Sequence, residues 1–330
     1  MSISFTGDWL PERTLLEHFS GPAIGNLECA FFDGEICSLK SYTSILPLGK
    51  IENVAEGGFA ALSLANNHVC DAGAEAFQKA EKLLVAKCPN ISFFGTVSRP
   101  YAELKVEGRK IAIIGCLEPC RSRGSGIVRQ EDVMGLIQRI REGFDFVFVY
   151  PHWGKEGEYT RWPSPAQRLL ARAWIDKGAD GVFGSHSHAF QGRETYKDKP
   201  IYYSLGNFEF DHPESRLYPG TDLGLVLELC GDGRIIEQVK QENGILRPPL
   251  EEERYLLEEI SRPLEKWTTW KWAKAIGPFN LKKNTASWRI RLKKNFIKTF
   301  PKYLIWQILP KTLLFKAASI ATFFSRKRNI

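Results

Sequence analysis

The feature that most constrains this chain is a recurring pattern: a short, nearly continuous apolar run that stops at a small polar cluster. SISFTG at 2–7 leads to Asp8, and PAIGNLE at 22–28 ends with Asn26 and Glu28. GFAALSLANN at 58–67, DFVFVYPHW at 145–153, ADGVFGSH at 179–186 and PIYYSLGNF at 200–208 have the same form, each read as one strand. A run that is apolar at nearly every position belongs to a strand covered on both faces. Helical spacing fills the intervals, at 72–87, at 131–142 and at 164–178. The last of these has Ser164 as N-cap, Pro165 at the first helical position and Gly178 as the stop. Two hairpins are expected, turning at Glu107-Gly108 and at Asp232-Gly233. Strands alternating with helices, plus antiparallel hairpins, predict an α/β sandwich.

Charge divides the chain in two. Residues 262–330 hold 17 Lys and Arg against one acid, Glu265, a formal +16. The remainder carries −9, so the overall +7 hides two regions with different tasks. The expected division is a body at 1–245 and a basic, aromatic-rich, helical extension at 246–330. Five of the nine tryptophans (267, 270, 272, 288 and 306) fall within 262–330. The stretch 303–324 is apolar but interrupted by Gln307, Pro310, Lys311 and Lys316, a poor membrane span. Basic residues interleaved with Trp and Phe suit an anionic membrane surface. An additional packed helical layer is the alternative; nucleic acid is a third, unsupported by any motif. Seven dispersed cysteines and a start without a basic-then-apolar leader pattern are read as reduced thiols in a cytoplasmic protein, peripheral on the inner membrane face.

The residues able to do chemistry share one address. Ligands of open α/β sheets bind beyond the carboxyl ends of the strands. Asp8, Asn26, Glu28, Asn67, His68, His152, His186, His188 and Asn207 all follow apolar runs and include four of the six histidines. Imidazole, carboxylate and amide oxygen together suit a divalent transition metal. On an extended segment, His186 and His188 of GSHSH would face one side with Ser187 between them. Two exposed loop histidines are the alternative there, and a satisfied core residue is the alternative for His152. Asp71 is read as the N-cap of the helix that follows it.

Taken in order, Gly7-Asp8, Asn26-Leu27-Glu28, Leu64 to Gly73, His152 to Glu156, Gly178 to His188 and Tyr203 to Phe208 resemble the bacterial CapA family of capsule and poly-γ-glutamate synthesis. That family is similar to the calcineurin-like metallophosphoesterases. The resemblance covers residues 3–212 and implies a metallophosphoesterase-like β-sandwich flanked by helices. It also implies a metal-dependent hydrolase acting on a phosphoester or polymer-linked substrate, or a non-catalytic component of a polymer assembly machine. Two divalent ions (Mn, Fe or Zn) are implied. Asp8 and His188 would hold the first, Asn67, His152 and His186 the second, and Glu28 would bridge them. His68 would be the acid or charge stabiliser. Asn26, Glu156 and Asn207 would support the site or its substrate. Three positions depart from the pattern. Leu10 stands where the wider superfamily has histidine, Glu28 stands where it has Asp, and the common GHHPH is GSHSH here.

Overall fold

The computed structural model describes residues 2–13, 15, 19–34, 44–118, 126–154, 157–210, 218, 220–241, 245–262, 264, 268 and 271–275. The chain divides into two units, 1–277 and 278–330, and the second lies outside the described residues, as does Glu156. The first half runs β1 (Ser2–Trp9), β2 (Ala23–Leu27), β3 (Ala30–Phe32), β4 (Ile45–Pro47), α1 (Ile51–Glu56), β5 (Ala61–Ser63), α2 (Ala74–Lys87), β6 (Ser92–Phe94), β7 (Tyr101–Val106) and β8 (Arg109–Leu117). The second continues with α3 (Val133–Ile140), β9 (Phe146–His152), α4 (Pro165–Asp176), β10 (Gly181–Phe183), β11 (Arg193–Tyr196) and β12 (Lys199–Tyr202). It ends with β13 (Asn207–Glu209), β14 (Leu223–Cys230), β15 (Ile235–Gln241), β16 (Leu246–Arg247) and α5 (Glu251–Ser261).

Two sheets form the sandwich, as the apolar runs predict. One has the order β16-β15-β14-β1-β2-β5-β6, with β13 also paired to β1; the other has the order β11-β12-β10-β9-β8-β7. Ile3 and Phe5 of β1 meet Ile111 and Ile113 of β8, Phe148 of β9 and Phe183 of β10 between them. The Phe5 and Phe183 rings stack at 4.0 Å. Along β8 the intervening residues, Ala112, Ile114 and Cys116, face outward beneath α3 and α4. A strand with apolar partners on both faces has no polar face to offer, which is why these runs lack alternation. On the outer face of the first sheet, Trp9, Phe59 and Leu62 pack against α1 and α2 through Val54, Phe77 and Leu84.

Local chemistry sets most boundaries where expected. Ser164 caps α4 in a capping box with Gln167. Both expected hairpins form, the first with Glu107 at φ 48° and Gly108 at φ 83°. The run 200–208 is a correction. It is two strands, β12 in one sheet and β13 in the other, joined by a crossing at Tyr203–Gly206. Gly206 has φ 73°, and a Cβ on Gly7 would lie 1.8 Å from the Gly206 carbonyl oxygen. The two glycines let the crossing chain press against β1, and the Asp8 N–H donates to that carbonyl at 2.9 Å.

Residues 246–275 are built into the first unit. β16 pairs with β15, and Leu257, Ile260 and Leu264 are buried. Trp272, one of the aromatics counted in the basic region, is buried and donates from Nε1 to the Trp162 carbonyl at 3.3 Å. Among the described residues, no helix is long and apolar enough to cross a membrane.

Candidate metal centre

The sandwich brings the chemistry-bearing residues of its two sheets to one end. Asp8 is the penultimate residue of β1, Asn26 lies inside β2, and Glu28 follows β2 directly. His152 closes β9, and the 184–188 loop follows β10 alongside it. A bridge between His152 and Ser185 ties the two sections of chain together. Asn207 opens β13 in register with Asp8.

Two donor groups result, and they share one carboxylate. Glu28, His152 and His186 form one; Asp8, Glu28 and His188 form the other; all five side chains are buried. His152 Nε2 lies 3.5 Å from Glu28 Oε1 and 3.0 Å from His186 Nδ1. His188 lies 3.7 Å from Asp8 Oδ2 through Nδ1 and 3.7 Å from Glu28 Oε1 through Nε2. Asn67 Oδ1 lies 2.6 Å from His152 Nε2, on the same side as the first group. His188 Nδ1 pairs with Asn207 Oδ1 at 2.9 Å, and Asn207 is fixed in turn by donating to the Thr221 carbonyl.

The loop reaches this arrangement by a route the sequence does not show. The 186–188 segment is not extended: His186 has φ 96° and His188 φ 57°. Left-handed backbone at non-glycine residues is strained, and it persists where surrounding structure holds it. Here the His186 N–H donates to Asp8 Oδ2 at 3.0 Å, and the Tyr159 ring stacks on His188 at 5.4 Å. Tyr218 stacks on Tyr159 at 4.1 Å, and Phe210 packs 4.6 Å from the other side of His188. No spacing rule links these three aromatics to the loop.

Asp71 is a second correction. The N-cap of α2 is Gly73, and the Asp71 carboxylate instead accepts from His68 Nδ1 at 2.7 Å. His68 Nε2 points toward Glu28 Oε1 at 3.9 Å, and its side chain is 18% exposed, so it borders both the donor groups and solvent. Asn66, adjacent to the expected pair, is fully buried; it donates to the Leu27 carbonyl at 2.8 Å and accepts the His68 N–H at 3.1 Å. The tandem Asn-Asn in the sequence was the only sign of it.

Electrostatics identifies what the cluster lacks. Both Glu28 oxygens are buried without a hydrogen-bond partner. Burial, and then the Asp8 charge, push the Glu28 carboxyl well above the usual carboxylate range. Burial holds His152 well below its ordinary value, with His186 and His188 adding to the effect. His188 is pushed down to about 4 by burial, against the pull of Asp8. Neutral imidazoles and a carboxylate with unused lone pairs are the form in which such groups bind a divalent cation. The mixed N/O donor set therefore fits a divalent cation.

Fold and centre together define a two-sheet α/β protein with a buried donor site at its strand ends. The chain belongs to the bacterial capsule synthesis protein PGA_cap family, whose profile matches residues 3–212. It is 32% identical over 184 residues to the capsule biosynthesis protein CapA of Bacillus anthracis, covering 50% of this chain and 44% of that protein. It is 31% identical over 193 residues to the PGA biosynthesis protein CapA of Bacillus subtilis, covering 53% and 49%. The chain thus spans about half the length of these relatives. A 5′-nucleotidase-like crystal structure from Staphylococcus aureus aligns at TM-score 0.47 and 12% identity, covering 79% of this chain and 58% of the other. A likeness of that size defines neither the fold nor the activity of this chain.

Proposed function

We propose that this protein is a metal-dependent hydrolase of phosphoester bonds that serves the synthesis of capsule or poly-γ-glutamate. The observation that carries the reading is Glu28: a fully buried carboxylate with both oxygens unpartnered, shared by two donor groups. In this reading Asp8, Glu28 and His188 hold one ion, and Glu28, His152, His186 and Asn67 hold the other. When bound, a pair of divalent ions supplies Lewis acidity and positive charge for displacement at phosphorus. His68 Nδ1 donates to Asp71, so in the doubly protonated ring Nε2 would be the atom that gives a proton to the leaving oxygen, leaving the neutral imidazole with its proton on Nδ1. Its partial exposure admits a substrate on that side, while Asp8, Glu28, His152, His186 and His188 stay buried.

The test is turnover of an aryl phosphodiester and an aryl phosphomonoester with and without manganese. His68→Ala should lower kcat by about 10²–10⁴-fold with ion content unchanged by elemental analysis. Parallel loss of ion and activity would make His68 a ligand instead. One observation favours a non-catalytic reading, in which the domain is a component of a polymer assembly machine. Leu10, at the position where related phosphoesterases have histidine, is a buried core residue at 4% exposure. A full complement of ions with no turnover of either ester would establish that second reading.

The basic region is proposed to bind an anionic membrane surface, on the strength of its charge and aromatic content. Because residues through 275 belong to the first unit, the informative truncation ends at Gly277. Anionic vesicles should sediment the full chain and not the shortened one, more weakly as salt rises. Equal sedimentation of both would overturn it.

A further inference from the structure

The loop that departs from the family's common pattern has a serine, Ser185, where that pattern has histidine. Its side chain lies beside the outer nitrogen of His152: Ser185 Oγ is 3.0 Å from His152 Nδ1. The serine is fully buried and fixed by its main chain, with its N–H donating to the Pro151 carbonyl at 2.9 Å and its carbonyl accepting from the Trp153 N–H at 3.3 Å.

His152 Nδ1 has a second neighbour, Asn26 Nδ2 at 3.1 Å. The direction of that amide follows from main-chain groups of known polarity. The Leu27 carbonyl and the His68 N–H fix which end of Asn66 is nitrogen. Asn66 Nδ2 then faces Asn26 Oδ1 at 3.4 Å, leaving Asn26 Nδ2 to donate to Asp8 Oδ1 at 2.8 Å. The atom that Asn26 presents to His152 is therefore a donor and cannot accept a proton.

A neutral imidazole has its proton on one nitrogen and a lone pair on the other, and what surrounds the outer nitrogen decides which. With Asn26 alone beside it, Nδ1 would accept, and the proton would sit on Nε2, paired with Asn67 Oδ1 at 2.6 Å. That form has no lone pair to offer toward Glu28. Of the two groups beside Nδ1, Ser185 Oγ is the one that can accept, and so the one able to support the other form, with Nδ1 protonated and the Nε2 lone pair directed at the donor groups.

We propose that Ser185 is a positioning residue that selects the ion-binding tautomer of His152. The inference rests on the two-ion reading above. It goes further in making a residue outside both donor groups, and outside the family's common pattern, a determinant of one ion's affinity. The second altered flank acts differently: Ser187 Oγ faces the Ala189 carbonyl at 2.5 Å and the Thr160 carbonyl at 3.3 Å, both main-chain acceptors.

The experiment is Zn²⁺ titration of the full chain by calorimetry, with long-range ¹H–¹⁵N spectra of the imidazoles to read the tautomer. The wild type should bind two ions and show His152 protonated at Nδ1 in the loaded state. Ser185→Ala should weaken one ion about 10- to 100-fold, the range typical for removing the hydrogen-bond partner of a metal-ligating histidine, and leave the other unchanged. Ser185→Thr, which keeps the hydroxyl, should restore the wild-type isotherm and spectrum. Ser63→Ala removes a buried hydroxyl on the strand beside Asn26 and should move neither ion. If Ser185→Ala does not fold, the loaded wild-type spectrum decides alone, and a proton on Nε2 overturns the proposal. Unchanged affinity for both ions in Ser185→Ala, or equal weakening of both, overturns it while the two-ion reading stands. A wild type that takes up no ion overturns both.

Discussion

Two glutamates, the fully buried Glu28 and the half-buried Glu194, show how differently one side chain is used in this fold. Glu194, on β11, accepts from Arg168 Nε at 3.1 Å, Arg172 Nη2 at 2.7 Å and the Tyr203 hydroxyl at 2.6 Å. Burial pushes its carboxyl up, but the hydrogen bonds and charges of these partners outweigh it, and the group titrates below its ordinary value. Glu28 is more deeply buried and neither of its oxygens is hydrogen-bonded, so burial and Asp8 act in the same direction. The first glutamate completes a structural cluster that joins α4 to the sheet. The second has no hydrogen-bond partner among the described residues. Burial alone does not mark a site; a buried charge without a partner does.

The largest effects should separate the pair by ion binding. Glu28→Gln should weaken uptake of both ions at least about 100-fold, exceeding the usual cost of losing a ligand's hydrogen-bond partner. His186→Ala combined with His188→Ala should remove most uptake, one ligand being lost from each group. Glu194→Gln should leave uptake unchanged. Elemental analysis after dialysis reads all three, and ion loss in Glu194→Gln would erase the contrast.

Stability should separate them in the opposite sense. Glu194→Gln leaves Arg168 and Arg172 facing a neutral amide and should cost about 1.5–3 kcal/mol, the worth of hydrogen bonds to a charged group. Glu28→Gln in the metal-free protein should gain on the order of 1 kcal/mol, because an unpartnered buried charge is removed. Urea midpoints of the two variants provide the measurement.

The smallest and sharpest test is the sign of the pH dependence in metal-free protein. Glu28 has a raised folded pKa, so its destabilisation is absent below the unfolded value of about 4.3 and grows as pH rises through the folded one. The gain from Glu28→Gln should therefore appear on raising pH. Glu194 has a lowered folded pKa, so its contribution is present above about 4.3 and is lost as pH falls through the folded value. The penalty of Glu194→Gln should shrink on acidification. Parallel pH profiles for the two variants would refute the comparison.

The clustering of candidate donors was legible in the sequence because strand ends announce themselves: an apolar run stops, and a residue such as His152 or Glu28 follows. Features that depend on three-dimensional proximity were hidden. The break in 200–208 was invisible because Tyr203 to Gly206 continue the apolar composition while changing sheets. Asp71 looked like a cap because it precedes a helix, yet its nearest base is three residues back, within one turn of chain. The Lys197-Asp198 turn, with both residues at positive φ, lacked the glycine that signals such turns. Glu194 gave no sign of its role, since its arginine partners lie more than twenty residues away on α4.

The crossing at 203–206 places β13 against β1 and so closes a loop of nearly two hundred residues around the site, from Asp8 to Asn207. At synthesis rates of 5–20 residues per second, roughly 10–40 s separate the appearance of the first of these residues from the last. For that interval β1 lacks β13 and β14, and His186 and His188 emerge only shortly before Asn207. Neither donor group is complete until its last histidine, His186 or His188, has been made, so the groups cannot organise the earliest stages of folding. Whatever they hold would be taken up late, once the strands that carry them have been brought together.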